Sequence, residues 1–365
     1  MKVLWITNIP SPYRVDFFNE LSKYVDLTVV FEKDRSSERN NEWSMKISPI
    51  FKTFFLNGLS TDVDKTLSFR VIRFLRASFD IVIISNLATP TGILAITFMN
   101  IHNKDYLIEG DGGFPKSGKG IKEKLKTYLI RNAKICFSTA NIHDEYFLKY
   151  GSSIDKIVRY PFTSISDSEI LSQIPSKEEK KTIKKELGIK ERKVIVTVGQ
   201  FIPRKGFDLL LKACRGIDIN VGVYIIGGLP TNDYLDIVHK NNLQNITFLK
   251  FKSKCEITKY FKAADVFVLP TREDIWGLVI NEAMAHGLPV ITTRKCIAGL
   301  ELIENDLNGF LVTENDVKEL HQRMIQLLNN DEVRKVMGER NIQKIKKYTF
   351  EEMAKIHLNA FKDLI

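Results

Sequence analysis

The chain of 365 residues has no long hydrophobic run. Its longest apolar stretch, residues 92–101, falls well short of the ~20 residues needed to cross a bilayer. That excludes a helical membrane span and predicts a protein that is soluble or rests on a membrane surface. The opening, MKVLWITNIP, has a short apolar run with no small-residue cleavage site after it, so it reads as a first strand and not a secretory signal. Four cysteines, Cys136, Cys214, Cys255 and Cys296, stand far apart without metal-ligand spacing. A disulfide framework and a zinc site are thereby excluded, and reduced, mostly buried thiols of a cytoplasmic protein are expected. There is no internal repeat and no low-complexity tract. The net charge of +10 comes without a recognised nucleic-acid-binding motif, so no nucleic-acid partner is expected. A phosphate-binding P-loop is missing as well. GFPKSGKG, residues 113–120, nearly matches one, but Gly120 stands where Ser or Thr must ligate magnesium, and Pro115 removes an amide.

What is present is alternation. A hydrophobic content of 44% over this length suffices for two cores. Strands are predicted at 2–8, 26–31, 51–56, 81–84, 106–109, 134–138 and 157–160. Helices are expected after Pro12 and at 66–76, 91–99 and 141–149. Residues 33–46 read as a loop. A Ser-rich and then charge-dense connection, 163–192, marks a domain boundary. Strands then recur at 194–198, 222–226, 246–248, 266–269, 290–293 and 310–312, with helices between and a turn at Gly299. The pattern predicts an α/β protein of two Rossmann-like, doubly wound units, whose strand ends face a ligand crevice.

Residues 270–289, PTREDIWGLVINEAMAHGLP, join two such strands. Trp276, Val279, Ile280, Ala283 and Met284 recur at helical spacing, Gly287 suits the C-terminal cap and Pro289 stops the helix. Asp274 and Glu282 bracket the helix start, where free amides and the positive dipole end favour a phosphate. Carboxylates accept hydrogen bonds from hydroxyls. A diphosphate with hydroxyls on either side describes a nucleotide sugar.

This stretch resembles the paired-glutamate motif of the family 4 (group 1) glycosyltransferases, which have the GT-B fold, and GLVINEAMAHGLPVITT is a close match. The first acid departs from the pattern: Asp274 stands eight residues before Glu282 and Glu273 nine before, and either could serve, with Asp274 keeping the register. VGQFIPRKGFDLLLKA resembles the family's diphosphate-binding loop. By that resemblance Lys205 fills the lysine position, Gln200 follows Gly199 where a basic residue is expected, and Arg204 supplies the missing charge. The resemblance further implies base contacts at Leu249 to Phe251, ribose hydroxyls on Glu282, backbone donors at Gly277 and Leu278, sugar hydroxyls on Asp274 or Glu273, and a pocket shaped by Gly299 and Glu301. It implies domains at 1–165 (acceptor side) and 166–348 (nucleotide-sugar side), with a helix at 349–365 crossing back to the first.

In the first domain the resemblance is thinner. Asp111, in EGDGG, stands about where many members carry a histidine; it binds the donor sugar, acts as base, or is a turn residue. Tyr13 and Arg14 are candidate acceptor or phosphate contacts, or pack the helix. His102 and His143 lie off the motif and are expected to be structural. Residues 116–134 carry seven basic residues and one acid, with Ile121, Leu125, Tyr128 and Leu129 at helical spacing. This reads as a basic amphipathic helix for an anionic membrane face, or as an ordinary solvated helix.

The resemblance implies a hexosyltransferase similar to bacterial capsular and exopolysaccharide enzymes. Such an enzyme moves sugar from a nucleotide-diphosphate donor, a UDP-hexose or UDP-N-acetylhexosamine, to a glycan or lipid-linked acceptor. It retains configuration and needs neither metal nor cofactor. A nucleotide-sugar epimerase, a glycan phosphorylase and a non-catalytic nucleotide-sugar-binding protein are the alternatives.

Overall fold

A computed structural model describes residues 1–34, 49–62, 65–115, 118 and 120–365. The expected loop at 33–46 therefore falls largely outside the described residues, as do Lys116 and Lys119. The chain forms two compact units, Met1–Thr163 with Thr349–Ile365, and Ser164–Tyr348.

The first unit holds β1 (Lys2–Thr7), β2 (Asp26–Phe31), β3 (Lys52–Phe55), β4 (Leu59–Asp62), β5 (Lys65–Leu67), β6 (Ile81–Ile84), β7 (Leu107–Glu109), β8 (Ile135–Ser138) and β9 (Ile157–Arg159). Seven of them form a parallel sheet in the order β3-β2-β1-β6-β7-β8-β9. Its central strands are Val- and Ile-rich because helices cover both faces; in β1 every residue after Lys2 is buried. β1 pairs β2 on one side and β6 on the other. The strand order reverses there, and loops splay apart at the carboxyl ends to leave room for side chains. The terminal helix Phe350–Lys362 packs on the helix Pro12–Leu21 of the same unit. Its start is capped by Thr349, whose side chain accepts the amide of Glu352.

The second unit holds β10 (Lys193–Val198), β11 (Val221–Ile226), β12 (Ile246–Leu249), β13 (Val266–Leu269), β14 (Val290–Thr293) and β15 (Gly309–Val312), in the order β12-β11-β10-β13-β14-β15. All its pairings are parallel, and its switch point lies between β10 and β13. Helix Lys177–Glu186, in the charge-dense connection, opens with a capping box between Ser176 and Glu179.

Three expectations need correction. The helix expected at 66–76 begins only at Val71. Residues 65–67 pair antiparallel with β4, and the Thr66 hydroxyl donates to the buried Glu32 carboxylate at 2.9 Å, so long-range contacts override local helical spacing. Gly299 lies inside the helix Ile297–Leu302, not in a turn. It is small because a Cβ there would stand 2.5 Å from the Thr292 methyl. Trp276 precedes its helix, which runs Val279–Ala285; the indole instead donates to Asn281 at 2.9 Å.

Candidate functional site

In the second unit, β10 ends in a loop that descends through a short turn, Pro203–Lys205, into the helix Phe207–Ala213. β13 ends in the segment 270–278. The two connections meet. Gly206 sits at φ +70° with its α-carbon against the end of β13: a Cβ would fall 2.0 Å from the Pro270 carbonyl oxygen. This contact requires glycine on both counts.

The meeting of these loops brings Arg204, Lys205, Glu273 and Asp274 together. Lys205 Nζ donates to Asp274 Oδ2 at 2.5 Å, and Arg204 Nη1 lies 3.4 Å from Asp274 Oδ1. Arg204 Nη1 also donates to the Glu273 carbonyl at 2.8 Å. Of the two candidate first acids, Asp274 is thus the one whose side chain meets both cations. Its backbone is fixed too: its amide donates to Lys295 O at 2.8 Å and its carbonyl accepts from Ile297 at 3.2 Å. Arg204 remains 44% exposed and Lys205 14%, so the pair retains an outward face.

Glu282 lies in the first turn of Val279–Ala285. Burial raises its carboxyl above the usual range, while Lys254 and the Ser164 hydrogen bond work the other way. Ser164 Oγ donates to Glu282 Oε1 at 2.8 Å, and Lys254 Nζ holds the Ser164 carbonyl at 2.6 Å. Gly277 takes φ +101° and a Cβ would meet Cys296 Sγ at 2.8 Å; Leu278 precedes the helix as its cap. Cys296 donates to Trp276 O at 2.9 Å, and burial pushes its thiol up to about 12, so it packs and does not react.

The Gly199 amide donates to Ile226 O at 2.9 Å, and Gly227, at φ +142°, lies so close that a Cβ would be 2.1 Å from Gly199 O. Gln200 is exposed and Phe251 half-buried. The Leu249 carbonyl accepts from Gly227 and Gly228 at 3.0 and 3.3 Å. The expected loop contacts therefore stand side by side at the strand ends of β10, β11 and β12.

In the first unit, Arg14 is buried beneath the sheet's carboxyl end. Its Nη1 donates to both oxygens of Glu109, at 2.7 and 2.6 Å, and its Nη2 pairs with Asp111. Burial alone would lower the guanidinium pKa, but Asp111 and Glu109 hold it well above the ordinary value. Tyr13 OH donates to Asp111 at 3.1 Å. Arg14 is therefore an internal partner of two carboxylates and not an outward contact. Asp111 keeps part of its side chain in solvent, although burial still raises its carboxyl, with Arg14 opposing. His143 is buried below this loop; a Cβ on Gly110 would lie 2.7 Å from its ring, and burial pushes it down to about 3. His102 stays local, with Nδ1 at 2.9 Å from Phe98 O.

Five residues beside these sites were not among the expected ones: Glu109, Ser164, Lys254, and the pair Asp208 and Arg272, joined at 2.8 Å from Oδ2 to Nη2 behind the Pro203–Lys205 turn. Glu109 and Arg272 stood beside candidates already named, at a strand end and in PTRED. Nothing local singled out the other three.

Among the described residues no group of three or more His, Cys, Asp or Glu side chains could hold a metal, and no helix is long and apolar enough to cross a membrane. Two parallel doubly wound units, one with paired cations at its switch point, give the chain the GT-B fold. It superposes on Anabaena HepE, solved in complex with UDP, with a TM-score of 0.79 over 100% of both chains at 16% identity, a likeness of fold alone. Residues 179–344 match the family described as glycosyl transferases group 1. An uncharacterized glycosyltransferase of Methanocaldococcus jannaschii is 36% identical over 156 residues, 42% of this chain and 44% of the relative. The capsular polysaccharide biosynthesis glycosyltransferase CapM of Staphylococcus aureus is 30% identical over 149 residues, 40% of this chain and 39% of its own. The chain spans about half the length of the curated relatives it matches.

Proposed function

We propose that the protein is a retaining family 4 glycosyltransferase. It moves a hexose or N-acetylhexosamine from a UDP-sugar to a glycan or lipid-linked acceptor of bacterial surface polysaccharide. The observation that carries this reading is the Arg204–Lys205 pair converging on Asp274 at the switch point of β10 and β13. Two cations over one carboxylate leave an excess positive charge where a diphosphate needs it. As the bond between the anomeric carbon and the diphosphate oxygen breaks, negative charge grows on that oxygen, and Lys205 and Arg204 stabilise it without a metal. The acceptor oxygen bonds to the anomeric carbon on the same face, and its proton passes to the departing phosphate oxygen. Asp274 meets hydroxyls of the transferred sugar; Glu273 flanks it. Glu282 accepts the ribose hydroxyls with the oxygen not engaged by Ser164. Gly277 and Leu278 line the phosphate and sugar, Gly199 and Gln200 the diphosphate loop, and Leu249 to Phe251 the base. In the first unit Asp111, aligned by Tyr13 and Arg14, faces the acceptor hydroxyl.

Helix Ile121–Ile130 supports a peripheral place on a cytoplasmic membrane face. Ile121 is 86% and Leu125 37% exposed, beside Lys122 and Lys124.

A thermal-shift and hydrolysis screen with UDP-, GDP- and ADP-sugars tests the donor. One sugar nucleotide should stabilise the protein and be slowly hydrolysed. Glu282→Ala should weaken that binding about 10- to 100-fold, the size of one or two hydrogen bonds to a charged group. Unchanged donor affinity in this variant overturns the assignment.

A further inference from the structure

The turn that carries Arg204 and Lys205 has no side-chain cap of its own and spans only Pro203–Lys205. Something else must hold it. The structure shows a clamp from the other side of the switch point. Arg272 grips Asp208 in a two-pronged pair, Nη1 to Oδ1 and Nη2 to Oδ2, both at 2.8 Å. The same Nη1 donates to the Pro203 carbonyl at 2.6 Å, and Nε donates to Asn315 Oδ1 at 2.9 Å. The guanidinium thus joins the start of the turn, the helix behind it and the segment after β15. One residue earlier, the Thr271 hydroxyl donates to the Arg204 carbonyl at 2.9 Å, and the Arg272 amide donates to the same oxygen at 2.8 Å. The backbone at 203–204 is therefore held at both carbonyls by residues 271–272.

We propose that Arg272, with Asp208 as its anchor, is a positioning residue for diphosphate binding. It fixes the turn so that the Arg204 and Lys205 side chains converge on one point before any ligand arrives. The inference rests on the reading of Arg204 and Lys205 as the diphosphate ligands. The physics is that of preorganisation. Two flexible cations lose conformational entropy on binding, and a turn already locked by a planar fork reduces that loss. A lysine at position 272 keeps the charge but cannot span Asp208 and Pro203 together, because it presents a point charge and not a fork. The clamp bears on the phosphates alone, so its loss should erase the advantage of a diphosphate over a monophosphate while leaving the base and ribose contacts intact.

The test measures, by titration calorimetry, the affinity of the full chain for UDP, GDP and ADP and for UMP, GMP and AMP, with thermal midpoints recorded in parallel. The wild type should prefer the diphosphate of one base. Arg272→Ala and Arg272→Lys should each lose about tenfold in diphosphate affinity, the scale on which supporting partners act. Monophosphate affinity should stay within about twofold. Asp208→Asn keeps the side-chain shape and should behave alike, so it decides the matter should Arg272→Ala fail to fold. Wild-type preference retained in Asp208→Asn and Arg272→Lys overturns the clamp and leaves the donor assignment standing. Equal loss for mono- and diphosphates also overturns it, since that marks general structural damage. A wild type that binds diphosphates no better than monophosphates overturns the reading of Arg204 and Lys205, and the inference falls with it.

Discussion

His357 offers a quantitative test of the first unit's buried cluster. It sits on the terminal helix in an aromatic box, with ring centroids 4.2 Å from Phe137, 4.9 Å from Tyr160, 5.1 Å from Phe17 and 5.5 Å from Trp5. Its Nδ1 lies 2.8 Å from the Met353 carbonyl, which can only accept, so the proton resides on Nδ1. Among the described residues the buried Nε2 has no hydrogen-bond partner, and it lies 3.8 Å from Glu109 Oε1. Opposing influences compete there. Burial and the nearby Arg14 disfavour an imidazolium, whereas the hydrogen bond to the Met353 carbonyl favours one. Arg14 already engages both Glu109 oxygens, and we hold that burial wins: His357 is pushed down from 6.5 to about 3. The folded chain then refuses a proton that the unfolded chain accepts below about pH 6.5. This group's share of stability is therefore complete above that pH and is lost as pH falls toward 3. At about 1.4 kcal/mol per pH unit, the loss at pH 5 is about 2 kcal/mol. His357→Phe keeps the ring in its box and removes the titration. Urea unfolding of both proteins at pH 7.5 and pH 5.0 measures the difference, and other titrating groups cancel because both proteins carry them. The variant should gain about 2 kcal/mol on the wild type between the two pH values. A constant difference refutes the buried neutral histidine. A wild type that gains on acidification shows instead that His357 takes the proton and pairs with Glu109.

Two further outcomes are expected. Gly206→Ala meets both a left-handed backbone and the Pro270 carbonyl at 2.0 Å, so it should cost more than about 2 kcal/mol and lower diphosphate affinity as the turn shifts; an unchanged thermal midpoint refutes the close approach. The protein should co-sediment with phosphatidylglycerol vesicles more than with phosphatidylcholine, and the pair Lys122→Glu, Lys124→Glu should abolish the difference; equal binding to both lipids refutes a membrane role for the helix Ile121–Ile130.

The strands were legible because parallel strands covered on both faces must be continuous apolar runs, and β1, β2, β10 and β11 are such runs. The candidate loop residues were legible as types but not as partners. Lys205 and Asp274 are 69 residues apart, and Arg14 and Glu109 are 95 apart; only the strand order brings each pair together. For the same reason β5 read as helix: the antiparallel partner and the Glu32 carboxylate that define it are invisible in a local window. Arg14 shows the cost most plainly. Its position pointed to a ligand contact, yet the side chain is spent on Glu109 and Asp111. The two switch points thereby acquire opposite character. In the first unit one guanidinium serves two carboxylates, leaving an excess of negative charge. In the second, two cations serve one carboxylate, leaving an excess of positive charge suited to a diphosphate. Composition reports only the net charge of +10. The difference of sign between the two clusters is set, within each unit, by which loops the strand order makes neighbours.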